Sequence, residues 1–230
     1  MGHNGRTSRQ EKARHGRRRA GQWPVQLRFA CTHTGVEYVS ERAWEQASLP
    51  RCPLHPGGGC GFARHGTYPR VSPPGTRIAR WYCPLGRRTF SLLPDCFSAR
   101  LKGTLSELEA VVRGIEQAPS LEAACAVLRP EIELPGVLRW ARRRLQAVHS
   151  ALHLLRGLMP ERFEDCPRRL EAFAERLGVS EALVALRAIA ADLLHRLPAP
   201  LGFVPRRQPG GAHRGGRQHQ VGADPPGSGP

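Results

Sequence analysis

Two cysteines and a histidine fall within nine residues in "RCPLHPGGGCGF", residues 51–62, with prolines and glycines between them. A stretch so rich in Pro and Gly supports neither a helix nor a long strand, so its thiols and imidazole must sit in tight turns. Cys52, His55 and Cys60 are the residue types of a metal knuckle, where thiolates and imidazoles converge on one ion. A second knuckle is expected about twenty residues further on, and Cys83 arrives there in "CPLGRRTF". Position 86, where a further knuckle cysteine would stand, is Gly86. Two readings follow. Either His55 completes a tetrahedral set of Cys52, His55, Cys60 and Cys83, or the fourth ligand is lost and the site is weak or empty. The chain has seven cysteines; in a reducing compartment this odd number and loop setting point to Zn2+ before disulfide. Cys31 and His33 in "ACTHTG" form a second, looser pair of ligand types.

The knuckles lie in a segment whose composition calls for them. Residues 23–100 are rich in Pro, Gly, Cys, Thr and Tyr, and strands are expected at "GTYPRVS", "TRIARWYC" and "RTFSLLP", each bounded by turn residues. Aromatic residues make up 6% of the chain, too few for one large core, so these residues read as a small β module of zinc-ribbon type held by metal.

From residue 101 to 204 the periodicity is helical. Thr104 and Glu107 form a capping-box pattern ahead of Leu105, Leu108, Val111, Val112 and Ile115. Ser120 is the expected N-cap of "SLEAACAVL", and a long helix runs from Pro135 to about Leu158 with an apolar seam of Leu138, Ala141, Leu145, Val148, Leu152 and Leu155. Two more helices are expected at "PRRLEAFAERLG", closed by Gly178, and at "SEALVALRAIAADLLHRL", started by Ser180. The fold class expected is therefore mainly α: a small β zinc-ribbon-like module followed by a helical domain of helix-turn-helix or bundle type. Residues 1–22 and 205–230 read as disordered basic tails.

Net charge is +16 with a pI near 11.1, and arginine supplies nearly all of it, Lys12 and Lys102 being the only lysines. Such a balance favours a polyanion, most simply double-stranded DNA; coding DNA rich in G and C would also inflate Arg, Ala, Gly and Pro. No apolar run is long enough for a membrane span or a signal peptide, which makes the cytoplasm the expected location. No nucleophile motif, phosphate loop or His-Glu-x-x-His occurs, and the acids after residue 100 fall on or beside helices, so the chain is not expected to be an enzyme.

"CPLHPGGGCGFARHGTYPRV", "IARWYCPLGRRTFSLLPDC" and the helices after them resemble the N-terminal zinc-ribbon and helix-turn-helix portion of insertion-sequence transposases, and short bacterial proteins that carry that portion alone. The resemblance spans about residues 50–158. It implies a DNA-binding protein of mobile-element origin that lacks the catalytic part. In that family the second knuckle supplies two ligands; here Cys83 is kept, but positions 86 to 88 hold no Cys or His. "SLEAACAVL", a turn and "PGVLRWARRRLQAVH" have the order of a helix-turn-helix, the last helix offering Arg139, Trp140, Arg142, Arg143 and Arg144 to DNA. Two other readings stay open: a protein–protein module whose helical seam pairs with a partner or in a homodimer, and a decayed transposase remnant without activity.

Overall fold

Turn residues and β-branched or aromatic positions yield an antiparallel meander: β2 (Ala63–Pro69), β3 (Arg77–Cys83) and β4 (Arg88–Pro94). A further strand, β1 (Val25–Phe29), runs parallel to β4 from Val25 beside Phe90 to Phe29 beside Pro94, and the sheet order is β1-β4-β3-β2. Between β1 and β2 stands α1 (Gly35–Ser40), opened by a capping box of Thr34 and Glu37. These elements belong to a computed structural model that describes residues 25–204. The tails expected to be disordered lie outside the described residues.

The mainly α expectation is thereby corrected. Of the described residues 41% are helical and 17% are in strands, and a four-stranded mixed sheet with seven helices makes the fold α/β. The reason is a core that composition concealed. One face of the sheet buries Ile78 and Leu93 with Tyr38, Trp44 and Phe97, and the other buries Ala79, Trp81, Phe90 and Leu92. Tyr38 and Trp44 come from the α1 region, so a few well-placed aromatics do what a chain-wide percentage suggests is impossible. The sheet half is a four-stranded mixed sheet with a buried cluster on each face and not a small zinc ribbon.

The helices are α2 (Leu105–Gln117), α3 (Leu121–Leu128), α4 (Gly136–Leu158), α5 (Pro160–Phe163), α6 (Leu170–Leu177) and α7 (Ala182–Ile189), followed by a 3₁₀ turn at Ala191–Leu193. Thr104 with Glu107 caps α2, Ser120 caps α3, and Gly178 ends α6 at φ 65°. On α4, Ala141 is buried with Ile115, Ala124 and Cys125, while Val148, Leu152 and Leu155 meet Leu105, Leu108 and Val112 of α2. The apolar seam is thus covered within the chain itself. No helix among the described residues is long and apolar enough to cross a membrane.

The last helix is shorter than expected, and Ser180 does not cap it. The side chain of Glu109, on α2, accepts hydrogen bonds from the N–H groups of Ala182 at 2.9 Å and Leu183 at 2.8 Å. Two turns along α2, Glu116 accepts from the N–H of Leu170 at 3.1 Å and pairs with His149 at 2.7 Å. One helix therefore supplies carboxylates to the N-termini of two others, where unpaired N–H groups and the helix dipole favour negative charge. Glu109 is buried and also pairs with Arg113 at 2.8 Å. Glu109→Gln keeps the shape and removes the charge, so it should cost about 2 kcal/mol in urea unfolding. Glu171→Gln, at the exposed end of the Arg113 network, should change stability by less than about 0.5 kcal/mol.

Candidate metal centre and basic helix face

The sheet positions one ligand and the loop before β2 the others. Cys83 is the last residue of β3, and the chain then reverses through residues 84–87, the N–H of Arg87 meeting the carbonyl of Pro84 at 3.2 Å. The N–H of His55 returns to the carbonyl of Cys52 at 3.2 Å, and that of Gly58 to His55 at 3.0 Å. Gly58 and Gly59 have φ of 85° and 74°, a region that glycine enters without strain and that brings the chain back to deliver Cys60.

Cys52, His55, Cys60 and Cys83 converge, their ligand atoms all within 4.8 Å of one another. The Nδ1 atom of His55 lies 3.6 Å from Cys52 Sγ and 3.4 Å from Cys83 Sγ. A tetrahedral ion with bonds of about 2.1–2.3 Å separates its ligands by roughly 3.5–3.8 Å, so the set has the dimensions to hold a metal ion. The three cysteines are buried and His55 is half-buried. Main-chain N–H groups of Leu54 and His55 face Cys52, that of Phe62 faces Cys60, and that of Gly86 reaches Cys83 Sγ at 3.2 Å. Donors in these places support thiolate charge.

The thiols perturb one another. Burial raises the Cys52 thiol, but His55 and the two N–H groups outweigh it and hold it near 7. Burial and the neighbouring sulfurs of Cys52 and Cys83 push Cys60 up. Thiolates this close repel, and a divalent cation among them removes the repulsion.

The place that sequence reading found wanting is filled from the other side. A Cβ at Gly86 would come within 2.5 Å of Leu54 Cδ1, 3.3 Å of Cys83 Sγ and 3.5 Å of His55 Cε1. Leu54 stands where a side chain at position 86 would otherwise project, with His55 in ordinary contact beside it.

The expected DNA-binding residues divide into two groups on α4. Arg139, Arg142 and Arg143 are exposed on the side opposite the buried Val137, Ala141 and Val148, and they form no ion pair with a described carboxylate. Trp140 and Arg144 are half-buried instead, the Arg144 guanidinium stacked 4.3 Å from the Trp140 ring and that of Arg129 5.3 Å from it. Burial lowers the pKa of Arg144, and the charges of Arg129 and Arg143 add to that. Arg143 and Arg144 also line a cleft of about 600 Å³ with Arg100, Lys102, Gln146 and Ser150, and none of the described residues lining it is acidic. Arg100 and Lys102 escaped the sequence reading because they precede α2 and reach α4 only through the fold.

Compared with protein-family models, with curated proteins and with solved structures, the chain matches none.

Proposed function

We propose that this chain is a non-catalytic protein that binds double-stranded DNA, with Zn2+ held by Cys52, His55, Cys60 and Cys83 as a structural ion. Three thiolates and an imidazole suit zinc, and four protein ligands leave no open coordination position for chemistry. The observation that carries the DNA reading is the row of exposed arginines on α4, Arg139, Arg142 and Arg143, which pair with no carboxylate among the described residues, beside a cleft that Lys102, Arg143 and Arg144 line. A guanidinium with no carboxylate nearby gains more from a phosphate than from water and small anions, since each phosphate neutralised releases counterions. The mobile-element origin rests on the sequence motifs alone.

A short labelled duplex, followed by fluorescence anisotropy at rising salt, tests this. The logarithm of affinity should fall linearly with the logarithm of salt, by about 0.9 for each phosphate contacted. Replacing Arg139, Arg142 and Arg143 together by Ala should reduce that slope by roughly three and weaken binding to all sequences alike. An affinity indifferent to salt, or unchanged in the triple variant, rejects the reading.

A further inference from the structure

The C-x-H pair of residues 31 to 33 lies apart from the metal centre and has a partner no spacing rule reveals. The parallel ladder ends with Phe29 beside Pro94, and Cys31 and Cys96 each stand two residues beyond it. The two side chains share one apolar cluster, where each thiol acts on the other. Cys96 is buried among Tyr38, Phe97 and Ala99, and half-buried Cys31 packs against that cluster from outside. His33 lies against Cys31 and bonds through Nε2 to Glu41 at 3.1 Å, while its Nδ1 is buried with no hydrogen-bond partner. Among the described residues, the sole cluster of three or more metal-ligating side chains is the one around Cys83, so this second site has the parts of a thiol reaction centre and lacks a ligand set.

We propose that Cys31 and Cys96 form a reversible disulfide in response to hydroperoxides, Cys31 attacking and Cys96 resolving, with His33 positioned by Glu41 as the proton acceptor. The Cys31 thiolate attacks the outer oxygen of ROOH, the O–O bond breaks, and RO⁻ leaves, taking the proton that His33 held, as ROH. Cys31 is then a sulfenic acid. The Cys96 sulfur displaces its hydroxyl, which departs as water with the Cys96 proton, and the S–S bond forms. Two thiols lose two electrons and the hydroperoxide gains them. The environment agrees with these roles: contact with Cys96, opposed by burial, then the N–H of Asp95 and His33, holds the Cys31 thiol near 6, whereas contact with Cys31 and burial drive Cys96 far up. The outer sulfur is the ionised one.

The test uses the full metal-loaded chain, treated with one equivalent of hydrogen peroxide, alkylated and mapped by mass spectrometry. A Cys31–Cys96 peptide pair should appear, vanish with dithiothreitol, and leave the metal content unchanged. Cys96→Ser should leave Cys31 as a sulfenic acid trapped by dimedone, and Cys31→Ser should leave Cys96 unoxidised. Independently of any variant, Cys31 in the native chain should react with iodoacetamide at pH 7 roughly tenfold faster than the buried Cys125 or Cys166. Equal alkylation rates, or peroxide attacking Cys52, Cys60 or Cys83 first with loss of metal, would overturn the assignment.

Discussion

Elemental analysis of the purified chain should give one zinc per molecule, and the Cys83→Ser variant should carry none. Cys83 ends a central strand and its sulfur touches the imidazole of His55 and the N–H of Gly86, so its loss removes a ligand and leaves Cys52 and Cys60 on a loop with only half of its anchor. A ligand that binds only the folded state stabilises it in proportion to the logarithm of its concentration over Kd. Chelation of the wild-type metal should therefore lower Tm by about 10 °C for a domain of this size. The sheet should remain folded at low temperature, because the cluster of Tyr38, Ile78, Leu93 and Phe97 holds one face without any of the four ligands, whereas Trp81, Phe90 and Leu92 share theirs with Cys52, Cys60 and Cys83. Gly86→Ala offers a finer reading: the added methyl meets Leu54 and presses toward Cys83 and His55, so it should weaken zinc binding while leaving the chelated protein's melting unchanged. A folded protein without zinc, or one whose zinc survives Cys83→Ser, would mean these four residues are not the site.

Much of this centre was legible before any fold was known, since Cys52, His55, Cys60 and Cys83 stand out by type and spacing. What the sequence left open was whether His55 comes close enough to the three cysteines to complete a set. That closeness depends on the reversal of residues 84–87 and on the tertiary approach of the two loops. The helix caps were legible where the capping residue is local, as at Thr104 and Ser120. They were hidden at α6 and α7, whose N-termini are served by Glu116 and Glu109 from over fifty residues away. The strand β1 was hidden for a similar reason: "VQLRF" is short, has no flanking hairpin, and is a strand only because β4 offers it a parallel edge. The fold class was misjudged through that strand and through Tyr38 and Trp44, whose packing value depends on where they land. Cys31 and Cys96 are the extreme case, sixty-five residues apart in sequence and joined by ladder register.

Arg187→Leu should cost about 3–5 kcal/mol and lower Tm by roughly 10 °C or more. Arg187 on α7 is fully buried and its guanidinium donates to the carbonyls of Leu201 at 3.1 Å, Pro94 at 3.2 Å and Asp95 at 3.4 Å, and to those of Phe97 and Pro200. Three of these carbonyls belong to the end of β4 and the turn after it, two to the segment that follows the 3₁₀ turn. One side chain thus fastens the sheet to the helices. Burial lowers its pKa to about 10, with Asp95 opposing, so it stays charged at neutral pH, solvated by backbone dipoles in place of water. A leucine fills much of the volume but takes the guanidinium from the carbonyls of Asp95, Phe97 and Leu201, while those of Pro94 and Pro200 keep the N–H groups of Phe97 and Ala99, and each unpaired buried polar group costs more than the bond was worth. Arg187→Lys separates charge from geometry: it keeps the cation, yet an ammonium has three donors and no planar fork, so it should recover only part of the loss. Thermal unfolding of the three proteins, followed at once by tryptophan fluorescence and by helical circular dichroism, would show the two signals falling together in the wild type. With Trp140 of α4 replaced by Phe in all three proteins, they should separate in Arg187→Leu, since Trp44 and Trp81 report on the sheet and most of the ellipticity on the helices. If the leucine variant melts within a degree or two of wild type with the signals still superimposed, the halves are joined by their apolar surfaces alone, and the buried guanidinium is a passenger.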